Sequence, residues 1–385
     1  MSVRSALAAT PRPALAFLTL GLFWGTFAAQ VPVLKAGLGV GDAQFGTVLL
    51  GSAFGLVTSM WLAPRLDRAL GGAGMQVATV LLALAVLGPG LASGPVAFFA
   101  AMVALGLASG LLDVLMNTRV SEAEARHGRS LMNANHGLFS LGYAIGAILT
   151  GLAREAGAVP VQMFAGYTVL ALLLATRLRL DPEAVVAPGQ DGPGRFPFEA
   201  VLLCGGVVLV AFMSEATVEA WSALHIERTL QGGAAEGALG PATLGLTMAL
   251  GRFSGQALSH RAGAVTVIVW ASMLSACGAV IAAAAPAPVW AYLGFGILGL
   301  GVSVIGPLGL ALVGRMVPPH RRTDAISKVA VMGFSGFFLA PVGMGFASEA
   351  FGLRAAFAGV ACVLLIAAPL ALAIRARHPA GRAVG

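Results

Sequence analysis

Acids, amides and a histidine stand at helical spacing inside three long apolar runs. Gly106, Gly110, Asp113 and Asn117 recur at i, i+4, i+7 and i+11, which is one face of a helix. Asn133, His136 and Ser140 recur at i, i+3 and i+7, again one face. Glu215, Glu219 and Ser222 recur at i, i+4 and i+7, with Trp221 beside them. Polar and ionisable groups are costly in apolar surroundings, so each needs a role that offsets the cost.

The chemistry open to these groups is proton exchange and polar recognition. A desolvated carboxyl such as Asp113 can take up and release protons near neutral pH. Asp113 and Asn117 therefore read as a substrate or proton site. The alternative is a gate, with Asp113 paired to Arg68 or to the start of the eleventh helix. Histidine as a residue type titrates in the physiological range, so His136 with Asn133 suits a relay or a polar contact; a plain helix-to-helix hydrogen bond is the other reading. Glu215 and Glu219 lie one turn apart and repel when both are charged. That makes the pair a candidate for proton coupling, although Glu219 also fits a polar outer mouth with no specific role. Gly142 and Gly146 form a small-residue pair for helix packing.

Arg252 is the one basic residue well inside an apolar run, about 13 Å from the run's basic end by helical rise. Its guanidinium cannot lose its proton. It is expected either to pair with Asp113, as an ion pair that breaks during a working cycle, or to snorkel to an interface. Trp24, Phe27 and Val31 form an apolar stripe suited to packing, and Gln30, beside Pro32, adds an amide that is a candidate cavity group or a packing one. Asp67, Arg68 and Arg252 are the expected gate residues.

These groups need long apolar elements to carry them. The chain has 385 residues, 58% hydrophobic and 10% charged, where a soluble domain carries about 25% charged residues. The mean hydropathy is +0.89, which marks an integral membrane protein. The net charge of +7 forms no patch, so nucleic acid is not an expected partner. Cys204, Cys277 and Cys362 lie far apart in apolar runs and read as small packing residues. The early run after Arg4 and Arg12 reads as an uncleaved first span. No phosphate-cradling loop, nucleotide fingerprint, metal cluster or nucleophile–base set occurs. Neither an enzyme, a metal, a cofactor nor an ATP-driven pump is expected.

About twelve windows are long enough to span a bilayer: 13–34, 43–64, 74–93, 95–118, 131–153, 158–178, 198–224, 240–260, 264–284, 288–314, 327–349 and 353–375. The widest polar gap, RLRLDPEAVVAPGQDGPGRFPFE, separates the sixth from the seventh. The expected organisation is a six-helix half at 1–180, a cytoplasmic linker at 181–197 and a second half at 198–385. With cytoplasmic termini, 19 of the 23 Lys and Arg residues fall inside. Only Lys35, Arg154, Arg228 and Arg354 fall outside, as the positive-inside rule requires. Residues 128–157 also align without gaps on 323–352, matching Phe139 with Phe334, Ser140 with Ser335 and Gly157 with Gly352. Two such halves place a site between them near the midplane.

The segments PVLKAGLGVGDAQFGTVLLGSAFG (32–55), GLLDVLMN (110–117), GRSLMNANHGLFSLGYAIGA (128–147) and EATVEAWSAL (215–224) resemble the major facilitator superfamily, in its rhizopine-transporter-like (MosC-type) bacterial branch. The corner APRLDRALGG keeps Asp67 and Arg68 of the superfamily pattern but not its later basic residue. Ala220 stands where the branch tends to carry an Asp, and the acid is Glu219. The resemblance implies an all-α membrane protein with twelve transmembrane helices in the major facilitator fold.

The resulting expectation is a monomeric secondary transporter in a bacterial inner membrane. It would move a small polar solute, sugar- or polyol-like, by alternating access with protons. A multidrug or metabolite exporter of the same fold is the alternative, with a larger and more apolar cavity. A transport-dead sensor is disfavoured by the short termini.

Overall fold

The computed structural model describes residues 3–180, 198–317 and 322–377, without the side chains of 255–262 and Thr323. The linker expected at 181–197 lies outside the described residues. The described residues are helical, in the order α1 (Val3–Ala9), α2 (Pro11–Leu38), α3 (Asp42–Leu70), α4 (Gly74–Ala85), α5 (Leu87–Leu91), α6 (Pro95–His127), α7 (Met132–Glu155), α8 (Pro160–Ala175), α9 (Phe198–Leu224), α10 (Ala234–Ala262), α11 (Ala264–Ala284), α12 (Pro288–Met316), α13 (Arg322–Phe334) and α14 (Gly336–Arg377).

The sequence punctuates these helices locally. Proline opens α2, α6, α8 and α12, where its missing N–H breaks no helical bond. α6 ends at Gly128, whose φ of 62° no β-branched residue would adopt cheaply and whose N–H closes on the Glu124 carbonyl. α14 is broken at Gly352, with φ 80° and ψ 161°. Gly157, its partner in the internal alignment, also has a positive φ, 91°. The two aligned segments therefore turn at the same place.

Among the described residues, eight helical stretches are long and apolar enough to cross a membrane. This is fewer than the twelve windows of the sequence. Asp42–Leu91 counts as one stretch of 50 residues, and Asp324–Arg377 as one of 54. The first is interrupted by a 3-10 turn at Gly71–Ala73, the second by the break at Gly352. α8 is apolar but shorter, and α10 lies outside the eight.

Glycines bring the helix axes together. A Cβ on Gly21 would lie 2.1 Å from the Phe139 carbonyl oxygen, and one on Gly25 only 1.8 Å from that of Tyr143. α2 and α7 thus meet backbone to backbone. Gly142 and Gly146 face the carbonyls of Leu18 and Leu22 from the other side of the same seam. Gly106 packs on the Ser52 carbonyl of α3 in the same manner. Small residues are what permit such approaches where lipid supplies no hydrophobic drive between helices.

Prominent seams join the N-terminal set, α1–α8, to the C-terminal set, α9–α14. One is α2 and α7 against α10, where Ala29 of α2, Ala147 of α7 and Ala238 and Ala242 of α10 form a fully buried cluster. Another is α3 against α14, where Gly46 meets the Pro341 carbonyl and Gly345 meets that of Asp42. Cys204 is buried, as a packing residue should be, but Cys277 and Cys362 are exposed on outward faces.

Candidate functional site

A cavity of about 190 Å³ lies between the two sets. Asp113 reaches it from α6, Tyr143 from α7, and Glu215 and Glu219 from α9. Trp24 and Phe27 of α2 complete the wall with Phe334 and Phe337 at the α13–α14 junction. The stripe of Trp24 and Phe27, expected as packing, is therefore part of the cavity wall. Their rings stack edge to face at 5.7 Å, an arrangement aromatic quadrupoles favour.

A continuous polar chain runs beside the cavity. Asn117 Nδ2 donates to Asp113 Oδ1 at 3.1 Å and to the Asp113 carbonyl at 2.8 Å. Asn117 Oδ1 lies 3.1 Å from His136 Nε2. The edge of His136 packs on Phe17, with centroids 4.8 Å apart. Arg252 carries the chain across the seam. Its Nη1 donates to Ser140 Oγ at 2.5 Å and to the His136 carbonyl at 3.4 Å, whereas its Nη2 donates to Glu215 Oε1 at 3.1 Å. One nitrogen thus serves each set.

This arrangement corrects several expectations. The partner of Arg252 is Glu215, not Asp113, and its side chain is only 10% exposed rather than snorkelled to an interface. Glu215 wins because it projects from α9, next to α10, whereas the Asp113 carboxyl is held by Asn117 on its own helix. Asp113 does not pair with Arg68 either. Arg68 is exposed, and Asp67 is paired with Arg119, within the N-terminal set. Asn133 sits in the first turn of α7 and joins none of these bonds; the buried amide of that turn is Asn135, bonded to Thr10 and to the Leu131 carbonyl. Gln30 is fully buried, with both amide atoms unpartnered, but it is not on the cavity wall. At about 100° per residue it falls roughly a quarter-turn from the Trp24–Phe27–Ala28 face.

Further charges, not singled out in the sequence, lock one face. This is the face with few cations. Arg154 donates from two nitrogens to Glu227, at 2.7 and 2.9 Å, and to the Ala29 carbonyl at 2.6 Å. Arg228, the next residue, grips both oxygens of Asp42 at 2.7 and 2.5 Å. Lys35 adds a third cation at 3.0 Å from Asp42, and Ser348 donates to the same carboxylate. Glu227 and Arg228 sit on a π-helical turn, His225–Thr229. The wider turn aims opposite charges at two helices of the other set. Ion pairs described on the cation-rich face, Arg119–Asp67, Lys328–Asp324 and Arg377–Glu199, each stay within one set.

The α3–α14 seam gives a direct test of closure. A Cβ on Gly46 would stand 2.2 Å from the Pro341 carbonyl oxygen and 3.3 Å from the Gly345 Cα, both backbone. Gly46→Ala is expected to hold the sets apart at a cost of about 1–3 kcal/mol. Transport should fall while the protein still elutes as one folded species. Gly25→Ala, inside the N-terminal set, should instead lower the yield of folded protein. Equal transport by Gly46→Ala and the unaltered chain would exclude a role for this seam.

Fold and cavity define a helical, multi-pass membrane transporter. The chain belongs to the major facilitator superfamily. Residues 203–384 match the Major Facilitator Superfamily model. An uncharacterized MFS-type transporter of Yersinia pestis is 30% identical over 367 residues, covering 94% of each chain. Membrane protein MosC of Rhizobium meliloti is 27% identical, covering 92% of this chain and 87% of MosC. Among solved structures, a bacterial homolog of the human lysosomal transporter Spinster, inward-facing and unoccupied, superposes with a TM-score of 0.76 at 16% identity, over 99% and 98% of the two chains. A D-xylose-proton symporter gives 0.76 at 14%, over 96% and 97%. At such identities the superpositions speak for the fold alone.

Proposed function

We propose that this chain is a proton-coupled secondary transporter of a bacterial inner membrane, working as a monomer by alternating access. In this reading it has twelve spans in two six-helix halves, 1–180 and 198–385. The interruptions at Gly71–Ala73 and Gly352 divide the two longest stretches into two spans each, and α8 and α10 supply the remaining pair. The cation-rich face and both termini are cytoplasmic, and the cation-poor face is outer.

One observation carries the proposal: a cavity between two helix sets whose outer face is shut by ion pairs that join those sets. Rocking about such a cavity exposes it to each side in turn. Asp113, Glu215 and Glu219 are the groups for proton exchange, and Asn117, His136 and Arg252 run from Asp113 to Glu215 across the seam.

The sugar- or polyol-like reading draws on amides, an acid and aromatics together. Asn117, Asn133 and Gln30 all stand off the wall, and six aromatic rings stand on it. That observation favours the second reading, an exporter of metabolites or drugs. The test is flux in proteoliposomes under an imposed pH gradient, with sugars, polyols and amphiphilic drugs as solutes. Gradient-dependent movement of one class, collapsed by a protonophore, is the expected result. No gradient-dependent movement of any solute would sink proton coupling.

A further inference from the structure

The cavity wall is unbalanced in charge. It carries three carboxyls, Asp113, Glu215 and Glu219, and no Lys, Arg or His among the described lining residues. The one direct ion pair of Arg252 among the described residues is with Glu215. Asp113 has only the Asn117 amide, and Glu219 has neither a hydrogen bond nor an ion pair among the described residues. An independent feature points to a ligand here. The Tyr143 hydroxyl, on the same wall beside Glu215 and Glu219, is buried and has no partner. Tyr143 is 2% exposed, and a buried O–H left unpaired costs about 1–3 kcal/mol. Around these groups the wall is aromatic, with Trp24 and Phe337 among its rings. Aromatic faces attract cations, most strongly when water is excluded.

We infer that the cavity takes an organic cation, a solute with an ammonium or similar positive group on an apolar body. The charge sits between Asp113 and Glu219, and the body lies against the aromatic rings. The Tyr143 O–H is satisfied by a carboxylate or by the solute once the site fills. A neutral polyol would leave two carboxyls without a counter-charge and would waste the aromatic wall. An anion would meet the two carboxyls that no cation pairs with. The inference rests on the transporter reading for its consequence, but not for its measurement, because binding needs no turnover.

The test is equilibrium binding to the full chain in nanodiscs. Radiolabelled 1-methyl-4-phenylpyridinium is the cationic probe, myo-inositol the neutral one and benzoate the anionic one. Saturable binding of the cation alone is expected. Glu219→Gln and Asp113→Asn, both near-isosteric, should each weaken it about tenfold or more. Glu199→Gln, in the exposed pair with Arg377, should leave it unchanged. Saturable inositol or benzoate binding without the cation overturns the inference, as does cation binding indifferent to both cavity variants, or no saturable cation binding at all. Flux in proteoliposomes separates the two readings. Cation binding without flux of any solute defeats the transporter proposal only, whereas proton-driven polyol flux without cation binding defeats this one only.

Discussion

Arg154→Ala is expected to open the cation-poor face, outer in the proposed orientation. The guanidinium makes three bonds at 2.6–2.9 Å, two to Glu227 in the other helix set and one to the Ala29 carbonyl. Its side chain is 5% exposed and that of Glu227 is 17%. Removing one member of a buried pair costs about 3–5 kcal/mol, because the other charge stays desolvated and alone. Partial exposure of Glu227 places this pair at the low end, about 3 kcal/mol, which is roughly a 100-fold change in the ratio of closed to open forms. Asp42–Arg228 is the weaker half of the latch, because Arg228 is 42% exposed and water screens it.

The readout is a cysteine on the cavity wall. Ala28→Cys, in a chain whose Cys204, Cys277 and Cys362 are replaced by serine, is shielded from a membrane-impermeant maleimide added to the outer side while the latch holds. With Arg154→Ala the labelling rate should rise by one to two orders of magnitude, following the population shift. Restoring the pair in reverse, Arg154→Glu with Glu227→Arg, should slow it again. An unchanged labelling rate in Arg154→Ala means that another contact closes this face.

Much of the architecture is legible in the residues themselves. Apolar windows, proline starts and glycine stops locate the helices because these signals act within one or two turns. The internal alignment finds corresponding turns at Gly157 and Gly352 for the same reason. The site is legible only by helix face. Periodicity places Asp113 and Asn117 together, and also Glu215 and Glu219, since those pairs are set within one helix. It cannot say which helix lies opposite, so Arg252 was matched to Asp113 by depth when Glu215, on the adjacent helix, was nearer. The latch left a signal of a different kind. Lys35, Arg154, Arg228 and Arg354 are the four cations that break the charge bias, and each is bonded in the structure: Lys35 and Arg228 to Asp42, Arg154 to Glu227, and Arg354 to the Ala283 carbonyl. A cation on the disfavoured side needs a reason, and here the reason is a partner. The directions of Gln30 and Asn133 are not legible, because an amide in an apolar run says nothing about direction to within a quarter-turn.

Arg252→Ala is expected to lower solute flux by about 100-fold or more while most of the protein still folds. The arginine divides its two nitrogens between the helix sets, Nη1 to Ser140 and the His136 carbonyl, Nη2 to Glu215. In the proposed cycle, rocking of the sets would break the Nη1 bonds and keep the Nη2 bond, leaving the charge compensated. Without the guanidinium, Glu215 becomes a third uncompensated carboxyl, costing about 3–5 kcal/mol if it stays charged. Arg252→Lys tests the fork itself. A single ammonium can hold Glu215, but it lacks the planar pair of donors that reaches Ser140 as well. Flux should recover in part, and Ser140→Ala should reproduce the shortfall of Arg252→Lys. Arg252→Gln with Glu215→Gln removes both charges together and leaves an amide pair of similar size. Folded yield should return to that of the unaltered chain, because no buried charge is left alone, but flux should not. The split between yield and flux separates a residue that moves with the cycle from one that only packs. Normal flux in Arg252→Ala would assign the arginine to packing and leave Glu219 and Asp113 as the groups to follow.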